Sequence, residues 1–164
     1  MWIESVTAYL GLGSNLGERR AHLERALEFL AQRLRLEKVS SIYDSEPVGN
    51  IEQPRFLNLA CQTNTTLSPT GLLALAKGIE AKMGRTGGTG APRQIDIDIL
   101  FYGDQVIQTP ELVIPHPRLT ERAFVLVPLV EIAPELVHPL SGKTVRELLA
   151  ALKEVQGVFK WEGS

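Results

Sequence analysis

The spacing of apolar residues along the chain predicts alternating strands and helices. Thr7–Leu12 and Phe56–Leu67 are runs dominated by residues that favour strands. Between residues 16 and 34, leucine and alanine recur at helical spacing, which predicts an amphipathic helix capped by Asn15. A second such stripe predicts a helix from Ser68-Pro69 to Gly84, because serine and proline favour helix starts and glycine favours helix ends.

The C-terminal half carries one strong strand pattern and several shorter segments. Ile95–Tyr102 alternates apolar and acidic residues and then becomes fully apolar, which predicts a strand with one buried face. Val113–Arg118 is expected to be extended because its two prolines exclude a helix, and Phe124–Leu129 is apolar with no element assigned. The other predicted elements are strands at Leu36–Tyr43, near Val106-Ile107 and at Val158–Trp161, and a helix at Lys143–Leu152.

The order of these elements indicates a fold class. Strand, helix, strand, strand, helix and strand follow one another, which is typical of an α+β sandwich of the ferredoxin-like βαββαβ type. We therefore expect a mainly antiparallel sheet with helices on one face, plus a C-terminal extension. A length of 164 residues fits a single domain covering residues 1–164.

Composition excludes several classes of protein. Hydrophobic residues make up 44% of the chain and charged residues 22%, which argues against intrinsic disorder. The net charge of −2 argues against a nucleic-acid or anionic-membrane partner. The chain lacks a membrane-length apolar run and a signal-peptide pattern, and its only cysteine, Cys61, cannot form an internal disulfide bond. We expect a cytoplasmic protein, and a monomer because no interface stripe is visible.

The sharpest chemical feature is the sequence Asp96-Ile97-Asp98. Alternate residues of a strand point to the same face, so the two carboxylates are expected to lie together, roughly 6.6 Å apart. Such carboxylates repel each other unless a positive charge lies between them, and their oxygens suit Mg²⁺. The alternative is a solvated strand face with two surface aspartates.

Arginines surround this acidic pair in the sequence. Arg85 and Arg93 flank the glycine-rich segment Thr86–Ala91, and Arg118 and Arg122 follow the strand. Guanidinium groups bind phosphate oxygens in a bidentate way, so the pattern is typical of a phosphate site beneath a mobile loop. The alternative is a set of solvated surface arginines.

Three further features could belong to a ligand site. His116 lies between two prolines that fix its position, although a loop histidine is equally often merely exposed. Phe56 and Asn58 share a strand face, where a ring and an amide suit a flat heterocycle, with core packing as the alternative for the ring. Gly11 and Gly13 lie before a helix, but the fingerprint of a phosphate-binding loop is incomplete and a tight turn is favoured.

Together, several sequence strings resemble the 6-hydroxymethyl-7,8-dihydropterin pyrophosphokinase family of folate biosynthesis. Its signature of Pro-Arg followed by two spaced aspartates runs here from Pro92 to Asp98. The matching strings span most of the chain in the family's order: AYLGLGSNLGER, SSIYDSEPVG, QPRFLNLA, IEAKMGR, APRQIDIDILFYG and IPHPRLTERAFVLVPLVEIAPELVHP. The family fold is a ferredoxin-like α+β domain, in agreement with the predicted order of elements.

The resemblance implies an activity and a set of residue roles. The family transfers pyrophosphate from ATP to the hydroxymethyl group of the pterin and releases AMP. Asp96 and Asp98 match the residues that hold two Mg²⁺ ions. The residues that match the family's contacts to the nucleotide and its phosphates are Glu80, Arg85, Arg93, Ile99, His116 and Arg122. Of these, Arg85, Arg93 and His116 are the expected catalytic groups. The pterin site matches Ser45, Val48, Phe56, Asn58 and Phe124, with Ser45 to Val48 contributing backbone groups.

Two departures and two alternatives accompany this interpretation. Thr89 stands where the family usually has a basic residue, and residues 86–91 are only Gly, Thr and Ala, so Arg85 and Arg93 are expected to contribute more. One alternative is a ferredoxin-like module that binds RNA or a regulatory ligand, although the acidic chain lacks the RNA-binding aromatic motifs. The other alternative is a different Mg²⁺-dependent nucleotidyl- or phosphoryl-transferase.

Overall fold

The computed structural model describes residues 4–45, 55–84, 94–152 and 157–161. Its helices are α1 (Arg19–Ala31), α2 (Pro69–Lys82), α3 (Ala123–Ile132) and α4 (Val145–Ala150), and a 3₁₀ turn covers Leu119–Glu121. Its strands are β1 (Val6–Ser14), β2 (Arg35–Val39), β3 (Tyr43–Ser45), β4 (Phe56–Thr65), β5 (Asp96–Tyr102), β6 (Ile107–Gln108), β7 (Val113–Ile114) and β8 (Val158–Lys160). The predicted α+β class with a mainly antiparallel sheet is confirmed.

Six of the described strands form one sheet, with β1 and β4 at its centre. The order is β5-β1-β4-β3-β8, and β2 pairs with β4 beyond the end of β3. Every pairing in this sheet is antiparallel. Strand β5 therefore lies at an edge of the sheet and carries Asp96 and Asp98 at its beginning.

Apolar side chains pack on both faces of the sheet. On one face, Leu10 and Leu12 of β1 pack with Leu23 of α1 and Leu72 of α2 in one buried cluster. On the opposite face, a second cluster joins the sheet to α3 and α4 through Ala60, Phe101, Leu126, Leu129 and Leu148. We call this second side the α3 face. The helices α1 and α2 thus share one face, as predicted, and the C-terminal extension covers part of the other.

Helix α1 begins later than the sequence pattern predicts. Asn15 is buried and Gly17 takes the left-handed conformation, with φ at +68°, so the chain turns there. Helix α1 starts at Arg19, after Glu18, whose carbonyl accepts a hydrogen bond from the His22 amide. The predicted cap at Asn15 is wrong, because the turn at Gly17 separates that residue from the helix.

The single strand predicted at Leu36–Tyr43 is divided into β2 and β3. Between them, the Ser40 hydroxyl accepts a hydrogen bond from the Ala60 amide at 2.9 Å and donates to the Ser41 carbonyl at 2.7 Å. The side chain thus takes a ladder position that backbone groups would otherwise fill. This interruption shifts the chain so that β3 pairs with the first residues of β4.

Helix α3 covers the apolar segment for which the sequence suggested no element. Of its ten residues, only Glu131 is exposed, and Pro128 lies inside the helix. No polar stripe therefore reveals a helical period in the sequence. Within the described part of the chain, no helix combines the length and apolar character needed to cross a membrane.

Candidate functional site

The two aspartates of β5 lie on the α3 face, in register with two glycines of β1. Asp96 pairs with Gly13 and Asp98 pairs with Gly11. The intervening Ile97 points to the opposite face and belongs to the core beneath α1 and α2. Alternation along the strand thus places both carboxylates together, as the sequence predicts.

The charge on this part of the α3 face is concentrated and partly buried. Burial and the neighbouring charge of Asp96 raise the pKa of Asp98 to about 6, against the opposing effect of the Arg122 guanidinium. A cation between the two carboxylates would relieve this repulsion. The described residues include no group of three or more His, Cys, Asp or Glu side chains suited to a metal. The pair is therefore suited to a hard cation that takes its remaining ligands from water and phosphate.

Gly11 and Gly13 leave bare backbone beside the carboxylates, which we call the glycine floor. Both lie inside β1, so the tight turn favoured from the sequence is wrong at these positions. A Cβ atom on Gly13 would lie 2.9 Å from Asn58 Oδ1 and 3.5 Å from a ring carbon of Phe56. The missing side chain at Gly13 thus leaves room for Asn58 and Phe56 of β4 on the same face.

Strand β3 extends this arrangement beyond β4. Ser45 is in register with Phe56, and the Ser45 hydroxyl accepts a hydrogen bond from Asn58 Nδ2 at 2.6 Å. Both side chains are buried, with Asn58 7% and Ser45 2% exposed. The amide of Asn58 is therefore held across the sheet between β3 and β1.

The segment between β7 and α3 brings basic groups to the aspartates. The His116 amide donates a hydrogen bond to the Leu100 carbonyl at 3.1 Å, which anchors the histidine against β5. Arg122 occupies the N-cap of α3, and its guanidinium carbon lies 5.5 Å from the centre of the Phe124 ring. Arg122 interacts electrostatically with Asp98 and Asp96. The ring, the guanidinium group and the carboxylates therefore belong to one site.

The imidazole of His116 is set up as a neutral hydrogen-bond donor. Burial and the charge of Arg122 lower its pKa, so the ring is neutral at pH 7. Its Nδ1 accepts a hydrogen bond from the Arg118 amide at 3.3 Å. In the neutral ring the proton must then lie on Nε2. His116 can donate that hydrogen bond to an anionic ligand without changing its own charge.

Glu80 supports the edge strand from α2. Its side chain is buried, and its Oε2 accepts a hydrogen bond from the Ile97 amide at 2.8 Å. Lys77 Nζ lies 3.6 Å from Oε1 of the same carboxylate. Ile99 is two residues further along β5, so its amide also faces the outer edge, while its side chain is buried in the core. Any ligand contact by Ile99 therefore involves its backbone.

The structure brings together most of the residues that the sequence singled out. Asp96, Asp98, His116, Arg122 and Phe124 gather with Phe56, Asn58 and Ser45 on the α3 face, and Glu80 and Ile99 lie at the β5 edge. The predictions for Val48, Arg85, Arg93 and the Thr86–Ala91 loop lie outside the described residues. Sequence reasoning missed the glycine floor and the Ser45 hydroxyl. The two-residue spacing of Gly11 and Gly13, which matches that of the aspartates, was the available signal.

Comparison with known proteins gives one consistent family. The model of the 7,8-dihydro-6-hydroxymethylpterin-pyrophosphokinase family, HPPK, matches residues 9–134. A 2-amino-4-hydroxy-6-hydroxymethyldihydropteridine pyrophosphokinase of Methylorubrum extorquens is 48% identical, over 88% of this chain and 92% of the relative. The protein of that name from Aquifex aeolicus is 44% identical, over 86% of this chain and 89% of the relative.

Solved structures agree on the fold. A crystal structure of a Plasmodium falciparum HPPK-DHPS variant matches 91% of this chain with a TM-score of 0.75 and 21% sequence identity. The chain spans 46% of the length of that solved chain. At this level of identity the likeness concerns the fold alone.

Proposed function

The chain belongs to the 7,8-dihydro-6-hydroxymethylpterin-pyrophosphokinase family, and on that premise we propose that its α3 face transfers pyrophosphate from ATP to a reduced pterin. As a member of this family the chain is a pyrophosphokinase of folate biosynthesis. The single observation that carries the proposal is the placement of Asp96 and Asp98 beside Arg122 and His116, next to a ring and an amide. That arrangement combines an acidic metal site, phosphate-binding groups and a site for a flat heterocycle.

We infer that Asp96 and Asp98 hold two Mg²⁺ ions together with the triphosphate. Their carboxylate oxygens are hard donors on one face, and the repulsion that raises the pKa of Asp98 favours a bound cation. Bound Mg²⁺ supplies charge neutralisation on the phosphate oxygens. The residues present fit the ion, and they leave coordination positions for phosphate and water.

The groups around the aspartates would bind and orient the triphosphate. Arg122 presents a charged fork from the start of α3, and His116 presents its Nε2 proton from a segment anchored to β5. We also assign Arg85 and Arg93 to the phosphates, on the family resemblance alone. Glu80 and the backbone of Ile99 are proposed to contact the nucleotide at the edge of β5.

The reaction then needs alignment more than covalent help from the protein. The pterin hydroxymethyl oxygen forms a bond to the β-phosphorus of ATP, and the bond from that phosphorus to the oxygen of the AMP portion breaks. The hydroxyl proton is lost to solvent, and AMP leaves with the negative charge. Arg122 and the neutral His116 stabilise the charge that develops on the phosphate oxygens.

The pterin is proposed to lie beside Gly13, where Phe56 and Asn58 share the α3 face. Phe56 and Phe124 offer ring faces to the heterocycle, and Asn58 offers an acceptor and a donor to its edge. Ser45 lies behind Asn58, and Val48 is assigned to the same site on the family resemblance. The hydroxymethyl group would then face the aspartates.

The identity of the nucleotide product tests this proposal. The purified chain, incubated with Mg²⁺, ATP and 6-hydroxymethyl-7,8-dihydropterin, should produce AMP only when the pterin is present. Chromatographic separation of the nucleotides measures the formation of AMP. Formation of ADP would indicate a phosphoryl-transferase instead, and release of inorganic pyrophosphate would indicate a nucleotidyl-transferase. Either result would contradict the proposed transfer.

A matched pair of glycine variants tests whether the pterin lies beside Gly13. In Gly13→Ala the new methyl group would lie 2.9 Å from Asn58 Oδ1 and must displace that amide, so the KM for pterin should rise about tenfold. In Gly11→Ala the new methyl group makes ordinary contacts with Leu100 at 3.4–3.6 Å, so the KM should stay within about twofold. Steady-state kinetics measure both. Equal KM values for the two variants would place the pterin elsewhere.

A further inference from the structure

The carboxylate of Glu131, near the end of α3, is bound to the sheet through both of its oxygens. Its Oε1 accepts hydrogen bonds from the Tyr43 hydroxyl at 2.6 Å and from the Ser41 amide at 3.1 Å. Its Oε2 accepts from the Ser41 amide at 3.0 Å and from the Ser41 hydroxyl at 3.2 Å. These contacts join α3 to the chain at the start of β3, between residues far apart in the sequence.

One row of paired residues crosses the sheet from this contact to the acidic pair. Its members, in order, are Tyr43, Asn58, Gly13 and Asp96. Neighbouring strands lie about 4.8 Å apart, so the two ends of the row are separated by about 14 Å. The row therefore runs from the strand that holds Glu131 to the strand that carries the aspartates.

Helix α3 spans the same distance on the α3 face. Its C-terminal part is attached at Tyr43, and Arg122 at its N-cap interacts electrostatically with Asp96 and Asp98. A helix rises about 1.5 Å per residue, so Arg122 and Glu131 lie about 13 Å apart along its axis. The helix thus matches the row in length, with one end at β3 and the other at the aspartates.

The polar contact at Glu131 differs in kind from the rest of the attachment of α3. Leu126 and Leu129 pack against the sheet in a buried apolar cluster. Apolar packing has no preferred direction, whereas hydrogen bonds need a narrow range of distances and angles. The Arg122 carbonyl accepts hydrogen bonds from the Val125 and Leu126 amides at 3.1 and 3.0 Å, so Arg122 moves with the helix. A displacement of α3 along its axis would therefore displace Arg122.

Resting on the proposed function, we propose that Glu131 is a positioning residue for pyrophosphate transfer. By holding α3 to Ser41 and Tyr43, it keeps the Arg122 guanidinium at the two aspartates. It acts through Arg122, from about 13 Å along the helix. Electrostatic stabilisation depends on placement, and a misplacement of about 1 Å can reduce a rate by about 100-fold. Without the Glu131 contact, α3 stays packed on the sheet but Arg122 is less well placed for the phosphates.

A double-mutant cycle with the full chain tests this role. The kcat/KM for ATP, followed as AMP formation, is measured in wild type, Glu131→Ala, Arg122→Ala and the double variant. Glu131→Ala should lower kcat/KM about tenfold when Arg122 is present, and less than about twofold when Arg122 has been removed. A merely structural loss lowers the folded fraction and would reduce the rate by the same factor in both backgrounds. That result would overturn the inference.

Conservative variants and a matched control refine the test. Glu131→Gln keeps one acceptor oxygen and should recover part of the loss, and Tyr43→Phe, which removes one donor, should lower kcat/KM about threefold. The control is Glu147→Ala, because the Glu147 carboxylate also accepts from a backbone amide and a hydroxyl, both of Thr144. Those contacts cap α4 only, so this variant should lower the melting temperature and leave kcat/KM within about twofold.

The outcomes separate this inference from the proposed function. If wild type forms no AMP, the proposed function fails and the role of Glu131 falls with it. If wild type forms AMP and Glu131→Ala keeps the full kcat/KM, or loses no more than Glu147→Ala, only the inference is overturned. Thermal melting of each variant shows whether it folds. If Glu131→Ala does not fold, Tyr43→Phe takes its place in the cycle with Arg122→Ala, where the same loss of effect is expected.

Discussion

Replacing Asp98 by asparagine should stop pyrophosphate transfer and at the same time stabilise the metal-free protein. The loss of one carboxylate removes half of the proposed magnesium site, and electrostatic stabilisation of this kind contributes several kcal/mol to a transition state. We therefore expect kcat to fall by at least about 1,000-fold. The same substitution removes a partly buried charge that Asp96 repels, which favours the folded state.

The pH dependence of this stabilisation has a definite sign. The pKa of Asp98 is raised in the folded protein to about 6 from the ordinary value of 3.8, so the folded state binds this proton more tightly than the unfolded state. The carboxylate therefore imposes no penalty at low pH, and the penalty grows as the pH rises through about 4 to 6. At pH 8 the substitution should increase the free energy of unfolding by about 2–3 kcal/mol.

Urea unfolding in the presence of EDTA, at pH 8 and at low pH, measures this difference for wild type and Asp98→Asn. The matched control is Asp104→Asn, which changes an exposed carboxylate just beyond β5 and should alter neither activity nor stability appreciably. Retention of more than a tenth of wild-type kcat by Asp98→Asn would contradict the role of this carboxylate. A lower stability of that variant at pH 8 would contradict the charge argument.

Loss of the Arg122 guanidinium should have the second largest effect. Arg122→Ala removes a charge that interacts with both aspartates and lies where the phosphates are proposed to bind. We expect kcat/KM to fall by about 100-fold or more, the usual effect of removing one preorganised electrostatic group. Arg122→Lys restores a charge without the bidentate fork, so it should recover only part of this loss. Steady-state kinetics with varied ATP give both values.

Arg118 provides the control for Arg122. It is exposed, and its Nε lies 3.6 Å from a Glu121 carboxylate oxygen. Exposed ion pairs of this kind contribute little, so Arg118→Ala should change kcat/KM by less than about threefold. A similar loss in both variants would mean that general positive charge, and not the position of Arg122, is what matters.

Local signals in the sequence were sufficient for β5 and for α2. Alternation of isoleucine and aspartate predicted β5 and the shared face of Asp96 and Asp98. Ser68 and Gly84 marked the ends of α2, where the Ser68 hydroxyl accepts a hydrogen bond from the Gly71 amide and Gly84 has a φ of +80°. Each of these features depends on neighbours in the sequence, which is why the pattern was enough.

Features that depend on packing between distant segments were not visible in the sequence. Helix α3 packs against β4 and α4, so nine of its ten residues are at least partly buried and its helical period is hidden. The division between β2 and β3 requires the contact from Ser40 to Ala60. Neither contact can be inferred from a local pattern, since it joins residues brought together only by the fold.

The site likewise combines features that the sequence revealed with features that depend on contacts between distant segments. The family resemblance grouped the aspartates with His116, Arg122 and the pterin residues, but the cross-strand register was needed to place Gly13 between Asp96 and Asn58. The hydrogen bond from Asn58 to Ser45 joins two strands and changes the interpretation of Ser45. The family resemblance implied only backbone groups from Ser45 to Val48, whereas the structure adds the side-chain hydroxyl of Ser45.

The most direct test of the proposed pyrophosphate transfer is a ³¹P NMR spectrum of the complete reaction. Purified chain, Mg²⁺, ATP and 6-hydroxymethyl-7,8-dihydropterin are mixed and followed over time. The ATP resonances should decline while resonances of AMP and of a pterin diphosphate appear together in equal amounts. Unchanged ATP, with circular dichroism showing a folded protein, would contradict the proposed transfer.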